Sequence, residues 1–108
     1  MTAREITATL LIEIPKQIPG ARAWRRNVGA TVVGDRFIRY GLPGEADVTG
    51  IYDGLRLEIE VKAGKDKPTP EQLSFLKMIR NAGGIGLICR DVDETIAAIR
   101  AEWETRKK

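Results

Sequence analysis

Two acids and a lysine alternate along one side of a short run, "LRLEIEVKAG", at residues 55–64. Leu55, Leu57, Ile59, Val61 and Ala63 fall on one side of it, and Arg56, Glu58, Glu60 and Lys62 on the other. A period of two predicts a β-strand with one apolar face packed on a core. Carboxylates offer hard oxygen ligands to a divalent cation, and an ammonium beside them can hydrogen-bond a water or offset charge on a phosphate. Metal-assisted phosphodiester hydrolysis needs that set of groups. The tripeptide Glu60-Val61-Lys62 alone fits an ordinary ion pair on a solvated face, so its weight depends on the elements that position it.

The preceding run, residues 46–52 (ADVTGIY), is separated from residues 55–63 by Asp53-Gly54, a strong signal for a two-residue type I′ hairpin turn. Such a turn sets Tyr52 opposite Leu55. Counting back from that pair places Gly50 opposite Leu57, Thr49 opposite Glu58, Val48 opposite Ile59 and Asp47 opposite Glu60. The apolar residues of both strands then share a face, which supports the register. Asp47 and Glu60 become directly opposed carboxylates with Cβ atoms roughly 4.5–5.5 Å apart, a repulsion that weakens a sheet and invites a cation between them. Lys62 follows on the same face, about 6–7 Å beyond Glu60. Glu58 reads as the partner of Thr49, with a role as an outer ligand as its alternative.

The rest of the chain supplies a frame for this hairpin. Ile6, Leu10, Leu11 and Ile14 form a helical stripe over residues 3–14, limited by Pro15 and followed by a loop to Gly20. Residues 31–40 read as a strand or a short hairpin interrupted at Gly34-Asp35. Thr69 as N-cap, Pro70 in the first turn and Gly83 after the last turn predict a second helix between them. Residues 85–89 (IGLIC) predict a short buried strand, and Asp91 or Asp93 opens a final helix reaching about Glu104. The expected order is αβββαβα, in one domain spanning residues 1–108.

Composition narrows the chemistry further. Hydrophobic residues make up 43% and charged residues 31%, values of an ordinary globular chain. Histidine is absent, which removes imidazole bases and mixed Cys/His zinc sites, and the one cysteine, Cys89, reads as a small core residue. The net charge of +3 and the pI of about 9.2 permit nucleic-acid binding without demanding it. Arg22, Arg25 and Arg26 cluster around Trp24, as a loop of solvated arginines or as a DNA contact. No apolar run is long enough to span a membrane and no leader is apparent, so the expectation is a cytoplasmic protein.

With the hairpin and its flanking helix in place, "GEADVTGIYDGLRLEIEVKAGKDKPTPEQLSFLKMIRNAGG" resembles the virus-type replication-repair nuclease (VRR-NUC) branch of the PD-(D/E)XK nuclease superfamily. The likeness is strongest over residues 41–84 and extends to "RNVGA" at residues 26–30. It implies an αβββαβ core, with a mixed central sheet flanked by helices and a C-terminal helix added. It also implies Mg²⁺- or Mn²⁺-dependent hydrolysis of DNA phosphodiesters, preferably in branched structures. By the same resemblance Asp47, Glu60 and the carbonyl of Val61 hold the metal, and Lys62 is the catalytic lysine. Gln72 helps orient the lysine or the phosphate, unless it serves only as the capping-box partner of Thr69. Glu5 is similar to the acid on the family's first helix that points toward the metal, and it also suits the first turn of a helix on its own account. Arg25 and Arg26 are the expected DNA contacts. Ala46 stands where the family often has proline, a departure that leaves the ligands untouched.

Related stand-alone domains resolve four-way junctions as two-fold dimers, so the resemblance implies a junction-resolving homodimer in a bacterial or phage-infected cell. The alternatives are a flap- or single-strand-selective nuclease, a catalytically silent DNA-binding module of the same fold, and a small interaction protein whose charged strand is merely exposed. Metal dependence of cleavage separates the enzymes from the other two.

Overall fold

A computed structural model describes residues 1–26, 30–39 and 42–107. Asn27 to Gly29 of the "RNVGA" segment, Tyr40, Gly41 and Lys108 lie outside the described residues. The chain runs α1 (Ala3–Gln17), β1 (Arg22–Arg25), β2 (Ala30–Val33), β3 (Arg36–Arg39), β4 (Val48–Tyr52), β5 (Leu55–Val61), α2 (Pro70–Asn81), β6 (Ile85–Cys89) and α3 (Val92–Lys107). Four strands form a mixed sheet in the order β1-β4-β5-β6, with β1-β4 and β4-β5 antiparallel and β5-β6 parallel. Strands β2 and β3 form a separate hairpin around Gly34-Asp35.

An α/β domain with an αβββαβ core and a C-terminal helix is therefore present, but its first sheet strand is not the expected one. Ala30–Val33 and Arg36–Arg39 form the detached hairpin instead. The strand that enters the sheet is Arg22–Arg25, which the sequence presents as a basic segment. Its charge hides it. Gly50 opposite Ala23 makes the pairing possible, because a Cβ there would lie 2.3 Å from the Arg22 carbonyl oxygen. Arginines on an edge strand also discourage pairing with another chain. At the opposite edge, Arg80 donates to Gly86 O at 3.0 Å and Arg106 to Gly84 O at 2.8 Å, so side chains cap carbonyls beside β6.

Helices α1 and α3 cover one face of the sheet. Ile6, Leu10, Ile14 and Ile18 pack there with Val48, Leu57, Ile59, Val61, Ile85, Cys89, Ile96 and Ile99. Cys89 is fully buried in this layer, as expected of a core residue. Pro15 does not stop α1, which continues to Gln17. Ile14 and Ile18 are both buried, and Ile18 N–H closes the last turn on Ile14 O at 2.9 Å, so packing offsets the bond that proline cannot make. Asp91 caps α3 by accepting from Glu94 N–H at 3.0 Å, and the helix runs three residues past Glu104. Trp103 holds that end to the hairpin turn, stacking on Tyr52 at 5.5 Å and donating from Nε1 to Asp53 at 2.9 Å. Among the described residues no helix is long and apolar enough to cross a membrane.

Helix α2 lies on the other face, where Ala46, Phe75, Leu76 and Ile79 form a second, smaller apolar cluster. Thr69 and Gln72 make the full capping box: Gln72 N–H donates to Thr69 Oγ1 at 3.1 Å, and Thr69 N–H donates to Gln72 Oε1 at 2.9 Å. Thr69→Ala should therefore cost about 1 kcal/mol in a urea melt. An unchanged midpoint would show that the cap carries no weight. Gly83, with φ +94°, follows the capping residue Ala82. By covering the sheet from this side, α2 turns the charged face of β5 inward.

Candidate functional site

The hairpin register holds from Tyr52–Leu55 to Val48–Ile59. Asp53 and Gly54 have φ +50° and +78°, the left-handed pair that a type I′ turn requires. The ladder stops one pair short of Asp47 and Glu60, because β4 begins at Val48 rather than at residue 46. The chain bends at Asp47, and its Oδ2 accepts the Val61 N–H at 3.0 Å. Strand β5 likewise ends at Val61 instead of residue 63.

Glu58 and Glu60, at 0% and 2% exposure, are buried and not solvated. Their surroundings differ sharply. Glu58 Oε1 accepts from Arg26, and its Oε2 accepts from the Thr49 hydroxyl and from Arg56 Nε at 2.9 Å, so every oxygen is satisfied. The expected Thr49 partnership is present, with two arginines added to it. Glu60 Oε2 is buried and receives no hydrogen bond from any donor among the described residues. Its Oε1 lies 3.9 Å from Lys62 Nζ, an ion-pair distance too long for a hydrogen bond.

Burial pushes the Glu60 carboxyl up to about 8, with the neighbouring Asp47 carboxylate adding to the rise and Lys62 opposing it. A hydrogen bond between the two carboxyls exists only when one of them holds a proton. The folded state therefore binds that proton more tightly than the unfolded chain does. Stability from this group is present below the unfolded value of 4.5 and is lost as pH rises through about 8. The chain has no histidine to titrate in this window. In EDTA, the melting temperature should fall between about pH 5 and pH 8, and Glu60→Gln should flatten that fall. Equal slopes in the two proteins would remove Glu60 as its source.

An unpartnered buried carboxylate oxygen beside a second carboxylate fits a divalent cation, which would replace the proton. Asp47 and Glu60 would supply the side-chain oxygens. Val61 directs its N–H toward Asp47, and N–H and C=O of one strand residue point to the same edge, so its carbonyl faces that side as well. Among the described residues no group of three or more Asp, Glu, His or Cys side chains could hold a metal. Two carboxylates with a carbonyl and waters suit Mg²⁺, which keeps much of its hydration shell.

Glu5 is engaged at the start of α1. Its Oε1 accepts from Thr2 N–H at 2.9 Å in the capping box of α1, and this bond, with the Thr2 hydroxyl, holds its carboxyl below the usual range. Gln72 is engaged with Thr69 in the cap described above. Arg25 is exposed and lines an open cleft with Arg4, Thr7 and Asp47. Arg26 lines it too, but its guanidinium is turned onto Glu58 and onto Glu45 at 3.2 Å. Glu45 and the internal role of Arg26 escape sequence reasoning, since no local spacing links Arg26 to an acid 32 residues away. A scan of the chain against protein-family models finds no match, and a search of the curated proteins finds none either.

Proposed function

We propose that this chain is a metal-dependent deoxyribonuclease of the PD-(D/E)XK type, hydrolysing phosphodiester bonds in branched DNA. The observation that carries this reading is the buried Oε2 of Glu60, unpartnered among the described residues and beside Asp47, with Lys62 immediately past the end of the same strand. Glu58 serves as an internal comparison. A carboxylate kept for structure is satisfied on both oxygens, as Glu58 is, whereas an unsatisfied buried carboxyl destabilises the fold and persists where function requires it.

In this reading Asp47, Glu60 and the Val61 carbonyl hold Mg²⁺ or Mn²⁺. The cation, when bound, supplies polarisation of a phosphoryl oxygen and acidifies a coordinated water. Lys62 presents its ammonium donors to the attacking water or to a phosphate oxygen, where negative charge builds. Arg25 offers the DNA backbone a cation at the rim. Gln72 is a helix cap in this account, and Glu5 caps α1. One such site cuts one strand, so symmetric cleavage of a junction calls for a two-fold homodimer. A monomeric mass by light scattering, with and without junction DNA, would rule the dimer out.

The test is a cleavage panel of four-way junction, flap, splayed arm and plain duplex in Mg²⁺, Mn²⁺ and EDTA. Cleavage of a branched form with either metal and none in EDTA is expected. No cleavage of any form under any condition would overturn the enzymatic reading.

A further inference from the structure

Arg26 surrounds the bend that carries Asp47. Its backbone N–H donates to Asp47 O at 2.8 Å, and its Nε donates to Ala46 O at 3.2 Å. The guanidinium is anchored on Glu58 Oε1 and on Glu45 Oε2 at 3.2 Å, and its carbon lies over the Phe75 ring, 5.9 Å from the centroid. Its side chain is only 15% exposed. These contacts explain why the ladder ends at Val48. In an antiparallel hairpin alternate pairs exchange both backbone bonds, and a two-residue turn makes Tyr52–Leu55 such a pair, followed by Gly50–Leu57 and Val48–Ile59. The next would be Ala46–Val61. Arg26 holds the Ala46 carbonyl instead, and the Val61 N–H turns to Asp47 Oδ2.

We propose that Arg26 is a positioning residue of the cation site: anchored on Glu58 and Glu45, it withholds the Ala46 carbonyl from β5 so that the Val61 N–H orients the Asp47 carboxylate. The inference rests on the proposed metal reading and concerns how the site is built. It also gives Glu58 a task. Glu58 lies two residues from Glu60 but has both oxygens occupied, so it fixes the arginine and does not compete for the cation.

Removing Arg26 alone would leave Glu58 short of a partner in the core, so the test uses the double variant Arg26→Met/Glu58→Met, which removes both charges at similar volume, together with Arg26→Lys. Three quantities are measured. The first is the scalar coupling across the hydrogen bond from the Val61 amide nitrogen, which in the parent runs to the Asp47 side-chain carbon. The second is the Mn²⁺ dissociation constant by calorimetry. The third is the salt dependence of DNA binding.

In the folded double variant the coupling should pass to the Ala46 carbonyl carbon, and Mn²⁺ should bind about 10- to 100-fold more weakly, with the salt slope unchanged. Arg26→Lys should lose metal affinity as well, since one ammonium cannot span Glu45, Glu58 and Ala46 in that geometry. Retention of the Asp47 coupling with Mn²⁺ affinity within about twofold of the parent would overturn the proposal. So would a salt slope lowered by about 0.9 with metal affinity intact, the signature of a direct phosphate contact. If the parent itself binds no Mn²⁺, the metal reading fails, and the Val61 coupling still decides whether Arg26 sets the bend.

Discussion

Lys62→Ala should lower the proposed Mg²⁺-supported cleavage of branched DNA by about 10²- to 10³-fold, the loss that follows removal of one well-placed donor to developing charge. The side chain is 16% exposed and 3.9 Å from Glu60 Oε1, so its N–H donors are near the carboxylate without being consumed by it. A lysine that acts on the transition state leaves ground-state binding alone. The turnover number should fall while the Mn²⁺ dissociation constant and the KM for DNA hold within a few-fold. Single-turnover rates on a junction, with Mn²⁺ titrations of both proteins, check this. Parent-like cleavage by the variant would reduce Glu60 and Lys62 to an ion pair.

Asp47→Asn separates stability from function. An asparagine Oδ1 can still accept the Val61 N–H, while its amide can donate to Glu60 Oε2, which among the described residues has no partner once both carboxyls are ionised. Above about pH 8, where Glu60 is ionised, the variant relieves a repulsion and satisfies a buried acceptor together. In EDTA at that pH it should be more stable than the parent by about 1 kcal/mol. Saturating Mn²⁺ should invert the order, because a ligand at a hundred times its dissociation constant adds about 2.7 kcal/mol to a protein that binds it only when folded. The variant lacks one ligand and gains much less, and its cleavage should disappear. Thermal melts with EDTA and with Mn²⁺, run beside a cleavage assay, read all three effects. A variant that melts below the parent in EDTA would show that the two carboxylates do not repel.

The hairpin and what it brings together are legible in the sequence because period two, the Asp53-Gly54 turn and the apolar match of the two strands are local signals. Helix α2 is legible for the same reason, through Thr69, Pro70 and Gly83. Strand β1 is not. Its pairing with β4 rests on Ala23 and on the absence of a side chain at Gly50, and neither leaves a hydrophobic pattern in "RAWR". The inward turn of the charged face is hidden as well, since an alternating strand with one polar face looks solvated until a helix is known to cover it. The bend at Asp47 depends on Arg26, whose partners Glu45 and Glu58 are distant in the chain. Opposed carboxylates are thus expected from register alone, whereas the way Asp47 reaches Glu60 from outside the ladder is a tertiary effect.

The most direct measurement counts protons. With its carboxyl raised to about 8, Glu60 is largely protonated at pH 7, and a cation that takes its oxygen must displace that proton. Calorimetric titration of Mn²⁺ into the protein at pH 7, in two buffers of different ionisation enthalpy, gives the number released. Mn²⁺ should bind with close to one proton released, and with none from Glu60→Gln. Absence of Mn²⁺ binding, or binding with the same proton count in parent and variant, would contradict the claim that Glu60 of "LRLEIEVKAG" forms a metal site with Asp47.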